Sequence, residues 1–542
     1  MTAAPIPALA RDRLGIARLR PAQLRAVEAV VGGRDVLAVL PTGAGKSAIY
    51  ELAGLLRTGP TLVVSPLIAL ENDQRAHLDA AGLSAVVVNA RLSARARTAA
   101  LAAARQRDAF VFVSPEELAN DEVGAALRAA RPGLFVVDEA HLVSQWGQDF
   151  RPDYLRLGAQ AAALGAPVRL ALTATAAPPV REEIVRRLGL RDAEVVIGDF
   201  DRPNIALSVH QVRTTADKDR VLEASAAELA GPGIVYAATR ASAASARDLL
   251  AAAGQQATLY HAGLPPADRR RAMDAFLDGA VRIIAATVAF GMGIDKPDVR
   301  WVVHADVPSS LDAYYQEFGR AGRDGKAAHA RLLYRPADVA MARRLTARPV
   351  SDAIVGAAAD RLATTRGESD LDGLAEALRI GARSATLAVA RLVDVGAARW
   401  SSDGRIRWSG DRSVADAMTA ARRESDREQE VERSRTEMMR RYAETTACRR
   451  SFLLTAFGQD YRGPCGNCDN DRSGARPEPA SRPFAPGERV VSERWGEGTV
   501  QRYDGDQVTV LFDEHGYRDL LVSLVVEKEL LRVTGASGDP PS

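Results

Sequence analysis

From about residue 22 to 205, short apolar runs alternate with Ala-rich amphipathic stretches, and from about 207 to 345 the alternation starts again. The runs are apolar at consecutive positions, not at every second one. A strand covered on both faces needs that pattern. The first series predicts strands at Asp35–Leu40, Thr61–Ser65, Ala85–Val88, Ala109–Val113, Leu134–Asp138 and Arg169–Thr173. The second predicts Gly233–Ala237, Ala257–Tyr260, Arg282–Ala286, Trp301–His304 and Ala330–Tyr334. Stretches with helical period, such as Ser93–Arg105, lie between them. Strand and helix in strict turn give a doubly wound parallel sheet, so the expected class is α/β, with two tandem sheets of this kind.

The pattern then changes. Two helical stretches, Asp370–Leu378 and Ala382–Asp394, flank a short turn and precede a hairpin, Ala398–Trp400 with Arg405–Trp408. That order reads as a winged helix over 346–412. A charged helical segment and a cysteine cluster fill 413–471, and a Pro/Ser-rich linker covers 472–486. Short alternating strands broken by glycine predict a small β-barrel at 487–533, before a disordered tail at 534–542. The α/β halves are expected at 1–206 and 207–345.

Net charge is only +2, so no global field marks the chain as a polyanion binder, and any basic surface must be local. No apolar run reaches the ~18 residues of a membrane span, and the first residues lack the apolar core of a signal peptide. A cytoplasmic, nucleoid-associated protein without membrane partners is the expectation.

The chemistry concentrates at strand ends. Leu40-Pro41-Thr42-Gly43-Ala44-Gly45-Lys46-Ser47 follows a strand and opens a helix. Glycines there let backbone N–H groups curl around phosphate oxygens, with Thr42, Gly43 and Gly45 in the loop. Lys46 can reach the β and γ phosphates and Ser47 can ligate Mg²⁺. A second run, Phe135-Val136-Val137, delivers Asp138 to hold Mg²⁺ and Glu139 to polarise the attacking water. Arg320 and Arg323, following Gln316 in QEFGRAGRD, can supply positive charge to the transferred phosphoryl group from the second α/β half. Gln23 upstream has the paired donor and acceptor needed to read an adenine edge. ATP and Mg²⁺ are therefore expected.

With these residues in place, the chain resembles the RecQ-type superfamily 2 DNA helicases over about residues 10–345 and the cysteine segment. The landmarks are PTGAGKS, SPLIALENDQ (65–74), SPEEL (114–118), DEAH with its aromatic loop, ALTATA (171–176), FDRPN (200–204), YHAGL (260–264), TVAFGMGIDKPDVR (287–300) and YYQEFGRAGRDG (314–325). The resemblance implies DNA-stimulated ATP hydrolysis and 3′–5′ unwinding in repair and recombination, on single-stranded and forked DNA, by a monomer. It places ATP between two RecA-like domains, with catalytic roles at Lys46, Asp138, Glu139, Gln316, Arg320 and Arg323, and Asp295 at the ribose or the domain interface. It makes Ser144 to Arg151 the loop that senses DNA, through Gln145, Trp146, Phe150 and Arg151; aromatic faces there are worth ~1–3 kcal/mol per stacked base. Gln148 stands where family members commonly carry His. Thr173 and Thr175 look like the motif that links the two activities, and Ser65, Pro66, Arg240, His261 and Thr287 lie where the family touches the DNA backbone.

Cys448, Cys465 and Cys468, the only three cysteines, fall in one short segment, with Asp471 in C-x2-C-x2-D spacing. The segment resembles the family's zinc module, and three thiolates with one carboxylate make an acceptable closed Zn²⁺ site. The winged helix precedes this module, whereas the family usually places it after. Its Arg383, Arg391, Arg405 and Arg407 could meet phosphates, or the module could serve protein packing. Residues 487–512 resemble the Tudor-like domain that ends UvrD/PcrA-type helicases, which implies RNA polymerase as a partner. A barrel packed on its own chain, or touching DNA, is the alternative. The rival function is an ATP-gated recruitment factor that separates no strands.

Overall fold

The computed structural model describes residues 6–66, 68–89, 92–143, 152–165, 167–291, 296–346, 350–365, 367–401, 404–461, 463–474, 482–504 and 506–534. The expected DNA-sensing loop at 144–151, Asp295, the centre of the linker and the tail lie outside them. The chain divides into two units, Met1–Leu40 with Ala44–Gly198 and Arg348–Glu428, and Pro41–Gly43 with Asp199–Ala347 and Gln429–Ser542.

The first unit holds strands β1 (Val36–Val39), β2 (Thr61–Val64), β3 (Ala85–Val88), β4 (Phe110–Val113), β5 (Leu134–Val137), β6 (Val168–Thr173) and β7 (Glu194–Ile197). They form one sheet in the order β3-β4-β2-β5-β6-β1-β7, every neighbour parallel. Every residue of β1, β2, β4, β5 and β6 is buried, as the consecutive apolar runs require. Removing each such Val or Leu from water contributes ~1.5–3 kcal/mol. The sequence reading missed β7, an edge strand in which only Val196 is buried; so short a run carries too little hydrophobic signal.

The second unit holds β8 (Ile205–Gln211), β9 (Gly233–Tyr236), β10 (Ala257–Tyr260), β11 (Ile283–Ala286), β12 (Trp301–His304) and β13 (Ala328–Tyr334), in the order β10-β11-β9-β12-β13-β8, again all parallel. β8 was also missed. Ile205 and Leu207 are buried while Ala206 and Ser208 are half-exposed, the alternation of a strand at a sheet edge. Both sheets are RecA-like, and the sequence expectation of tandem α/β domains holds.

Residues 350–412 form helices Asp352–Thr364, Leu371–Leu378 and Ala382–Asp394, then the antiparallel hairpin β14 (Ala398–Trp400) and β15 (Ile406–Trp408). Val355, Leu374, Val389, Leu392 and Ile406 make their core. The last of these helices does not present a free basic face. Arg391, expected to meet phosphate, is 4% exposed, and its guanidinium donates to Glu428 at 2.5 Å. On the same helix Asp394 accepts from Arg187, at 2.9 Å, which also bonds Glu183 at 2.6 Å. The hairpin is likewise docked: the Arg156 guanidinium lies 5.1 Å from the Trp400 ring centroid and donates to the Gly404 carbonyl at 3.0 Å. Arg383, Arg405 and Arg407 remain exposed, Arg407 beside Glu368 at 3.3 Å.

Helix Val414–Glu444 follows, then Arg449–Ala456 and Asp469–Arg472 around the cysteines. The C-terminal strands β16 (Arg489–Ser492), β17 (Gly496–Asp504), β18 (Gln507–Phe512), β19 (Gly516–Leu521) and β20 (Arg532–Val533) form an antiparallel sheet ordered β19-β18-β17-β16-β20. Its two end strands do not pair with each other among the described residues, so the expected barrel is an open sheet here. Nor is it a free domain beyond a linker. Arg518 bonds Glu430 at 2.5 Å, Arg441 pairs with Asp519, and the Arg502 guanidinium sits 3.7 Å from the Phe452 ring centroid. Among the described residues, no helix is long and apolar enough to cross a membrane.

Candidate nucleotide, nucleic-acid and zinc sites

The candidate phosphate-binding elements sit where β1 and β5 end. β1 leads through Leu40 into the loop, and Lys46 caps helix Ser47–Leu56 with φ −57° and ψ −36°. Gly43 and Gly45 have φ of +78° and +71°, the left-handed region that turns successive N–H groups to one side. Gln23 is 5% exposed and fully engaged: its amide N–H groups donate to the carbonyls of Ala44 (2.9 Å) and Gly45 (2.8 Å), and its oxygen accepts from Arg20 N–H (2.7 Å). Reading adenine therefore requires exchanging these bonds.

Asp138 follows β5, and one of its oxygens accepts the Glu139 N–H at 2.9 Å. Burial first, then the Glu139 carboxylate, push Asp138 up to about 6, although Lys46 and His141 oppose them. Lys46 is thus close enough for its charge to act on the acid. Glu139 takes φ +49°, left-handed backbone in a non-glycine residue. His141 Nδ1 stands 3.3 Å from Glu139 Oε2 and 3.1 Å from Thr173 Oγ1, which donates to the Thr175 carbonyl at 2.9 Å. The Tyr154 hydroxyl donates to the Asp138 carbonyl at 3.2 Å, a tie the sequence reading missed.

In the second unit, helix Leu311–Phe318 carries Gln316 and leads through Gly319 into the turn with Arg320 and Arg323. The turn is held from outside. Arg202 donates to the carbonyls of Gly319 (2.8 Å), Ala321 (2.6 Å) and Gly322 (3.1 Å), and Asn204 to those of Gly322 (2.8 Å) and Lys326 (2.9 Å). Arg320 also lies close to the Tyr236 phenol, which burial pushes up to about 12 against the pull of that guanidinium. Arg202 and Asn204 belong to FDRPN, a landmark of the sequence whose mechanical role is invisible without the fold.

Three backbone-contact candidates of the second unit converge. Arg240 follows β9, His261 follows β10 and Thr287 follows β11, and these strands are neighbours ending at the same sheet edge. A Cβ on Gly263, two residues after His261, would lie 2.6 Å from the Arg240 guanidinium, and Thr287 N–H donates to the Tyr260 carbonyl at 3.2 Å. Ser65, at the end of β2 in the first unit, is 2% exposed. Gln145, Trp146, Phe150 and Arg151 lie outside the described residues, as does Gln148.

Cys448, Cys465, Cys468 and Asp471 place their ligand atoms within 4.8 Å of one another. The local backbone favours anionic sulfur: Asn467 N–H points at Cys465 Sγ (3.3 Å) and Asp471 N–H at Cys468 Sγ (3.4 Å). Hydrogen bonds from the Cys448 and Cys465 thiols hold Cys468 well below the usual thiol range. Asp471 Oδ2 accepts from Cys465 N–H (2.6 Å) and Gly466 N–H (3.0 Å). A Cβ on Gly463 would approach Cys448 Cβ to 2.9 Å, so the loop closes only with glycine there. Three thiols and a carboxylate at this spacing fit a structural Zn²⁺. The segment is sewn to the second sheet: Arg450 bonds Asp201 (2.6 Å) and the Ile205 carbonyl (2.8 Å), while Leu207 N–H donates to the Asn467 carbonyl (3.2 Å).

Comparison with known proteins agrees with this geometry. The DEAD/DEAH box helicase family matches residues 20–184, the helicase conserved C-terminal domain 218–325, and the RecQ zinc-binding family 409–472. The chain is 40% identical over 349 residues to the probable ATP-dependent DNA helicase RecS of Bacillus subtilis, covering 63% of this chain and 70% of that one. To the ATP-dependent DNA helicase RecQ of Haemophilus influenzae it is 36% identical over 334 residues, covering 61% and 53%. It thus spans only about half the length of that RecQ relative. In fold it is similar to the helicase Lhr of Mycobacterium smegmatis bound to single-stranded DNA and AMP-PNP, at TM-score 0.51 and 20% identity, covering 91% of this chain and 69% of that one. The helicase MrfA bound to DNA is similar at TM-score 0.51 and 18% identity, covering 76% and 59%. The sheets, the strand-end acids and lysine, and the cysteine segment all belong together in one lineage: the chain is a member of the RecQ-type family of ATP-dependent DNA helicases.

Proposed function

We propose that this protein couples Mg·ATP hydrolysis to 3′–5′ movement on single-stranded DNA and to duplex unwinding at forks, as a monomer, in repair and recombination. The observation that carries the reading is that Lys46 follows β1 while Asp138 and Glu139 follow β5, on either side of β6 at one end of the same sheet, with His141 beside both Glu139 and Thr173. Lys46 binds the β and γ phosphates, Ser47 and Asp138 hold Mg²⁺, and Glu139 takes the proton of the attacking water. Thr42, Gly43 and Gly45 line the phosphates, Gln23 and Asp295 contact the nucleoside, and Gln316, Arg320 and Arg323 supply the groups that stabilise transferred charge. Bound Mg²⁺ would neutralise phosphate charge. On the nucleic-acid side Ser65, Gln145, Trp146, Phe150 and Arg151 act from the first unit. Arg240, His261 and Thr287 act from the second, and their convergence on one sheet edge suits a backbone track. The C-terminal sheet is a candidate contact for RNA polymerase, by likeness to the Tudor-like module, and capture of the polymerase by the full chain tests it.

The decisive measurement is unwinding on forks, 3′ tails and 5′ tails. Wild type separates forks and 3′-tailed duplexes, while Lys46→Ala and Glu139→Gln lose DNA-stimulated hydrolysis by more than ~10²-fold. Hydrolysis by wild type without separated strands on any of these substrates favours the recruitment reading.

A further inference from the structure

The helix on which the C-terminal sheet packs is tied by a buried ion pair to the helix that leads into the arginine turn. At its near edge β19 presses on helix Val414–Glu444: a Cβ on Gly516 would meet Ser434 Oγ at 2.3 Å, and Gly516 has φ +67°. Arg518–Glu430 and Arg441–Asp519 fix the strand there. One turn along the helix, Arg435 has a side chain only 11% exposed. Its guanidinium stands 3.2 Å from Asp312 Oδ2, 3.4 Å from Ser310 Oγ and, through the other nitrogen, 2.8 Å from Glu432. Ser310 is the N-cap of helix Leu311–Phe318, and Asp312 lies in its first turn. That helix ends at the turn bearing Arg320 and Arg323. Thr436 adds a bond to the Ser309 carbonyl at 3.3 Å, and the Tyr442 and Tyr314 rings meet at a tilt of 50°, their centroids 5.2 Å apart. Tyr517 of β19 is 8% exposed and lies close enough to the pair for both charges to act on it: burial and the Asp312 charge push its phenol up, with Arg435 opposing.

We propose that Arg435 is a positioning residue for the arginine turn, and that the C-terminal sheet, by burying the Arg435–Asp312 pair under Tyr517, sets the phosphoryl-transfer rate of this helicase. The inference rests on the reading of Arg320 and Arg323 as charge-stabilising groups. Water over the pair would weaken it by screening and let the N-terminus of the helix shift. A small displacement of a charge-stabilising group is costly in rate because its effect depends on preorganisation.

The test uses full-length protein at saturating single-stranded DNA. Arg435→Gln and Asp312→Asn are each expected to lower kcat about 5- to 10-fold with the KM for ATP within about twofold, since no ATP-binding residue is touched. The double variant is expected to be no worse than either single, because both remove the same contact. Tyr517→Ala is expected to lose kcat in the same way and Tyr517→Phe, which keeps the cover, to retain it. Wild-type kcat in Arg435→Gln, or losses that multiply in the double variant, overturns the proposal. If Tyr517→Ala does not fold, the Arg435/Asp312 cycle decides alone. Arg320→Ala separates the layers: retained hydrolysis there defeats the underlying reading, whereas a dead Arg320→Ala beside a fully active Arg435→Gln defeats only this inference.

Discussion

The residues proposed for phosphate chemistry are held on different plans in the two units. In the first unit, Lys46, Ser47, Asp138 and Glu139 stand directly at the ends of β1 and β5, braced by Gln23 on the loop and Tyr154 on the Asp138 carbonyl. In the second unit, Arg320 and Arg323 occupy a turn that Arg202, Asn204 and, one helix further back, Arg435 must hold. The first site joins two contiguous strand-end motifs; the second turn is held by FDRPN, a distant helix and the zinc segment. A local site should tolerate distant change, and an assembled one should not.

Arg202→Ala offers the hardest blow to that contrast. It removes three bonds to the carbonyls of the arginine turn and is expected to lower kcat about 10- to 100-fold with little change in the KM for ATP. A wild-type kcat in steady-state ATPase measurements would mean that the turn keeps its shape unaided, and the contrast would fall. A middling effect is expected from the metal. Purified protein should hold stoichiometric zinc, and Asp471→Ala should release it to a chelator about 10- to 100-fold more readily. Hydrolysis should fall with zinc content, because Arg450 and Asp201 tie the segment to FDRPN. Retention unchanged by Asp471→Ala would assign the fourth ligand elsewhere.

The smallest effect sits in the first unit, away from either half. Burial pushes Glu428 up to about 7, outweighing Arg391, with Asp394 and Glu183 adding to the rise. An acid raised in the folded state contributes stability that is present below about 4.5, its ordinary value, and is lost as pH rises through about 7. Glu428→Gln should therefore flatten the fall in melting temperature across that window by a few degrees at most, without altering hydrolysis near neutrality. An unchanged slope would assign the pH dependence to other groups.

What could be read from the sequence follows the same division. Consecutive apolar runs announced both parallel sheets, because full burial leaves an unbroken hydrophobic signal. The loop at 40–47 and DEAH announced their chemistry because it is contiguous. The readings went astray where partners are remote. Arg391 looks like a phosphate contact on a helical wheel, yet Glu428 claims it from another helix. Arg202 and Asn204 read as a family signature without a task. The C-terminal strands suggested a small β-barrel because alternation fixes strands but not their closure, and nothing local revealed Arg502 lying over Phe452. β7 was lost because its apolar run is only Val195–Ile197, and β8 because its burial alternates and leaves no unbroken apolar run.

The backbone of Glu139 carries a last implication. At φ +49° it occupies a region that costs an L-residue with a Cβ roughly 1–2 kcal/mol and costs glycine almost nothing. A chain shaped only to fold would put glycine or asparagine at this corner. Putting a carboxylate there trades robustness for reactivity at a single position, so the residue assigned to activate water is also a place where the molecule could be made sturdier only by making it inert.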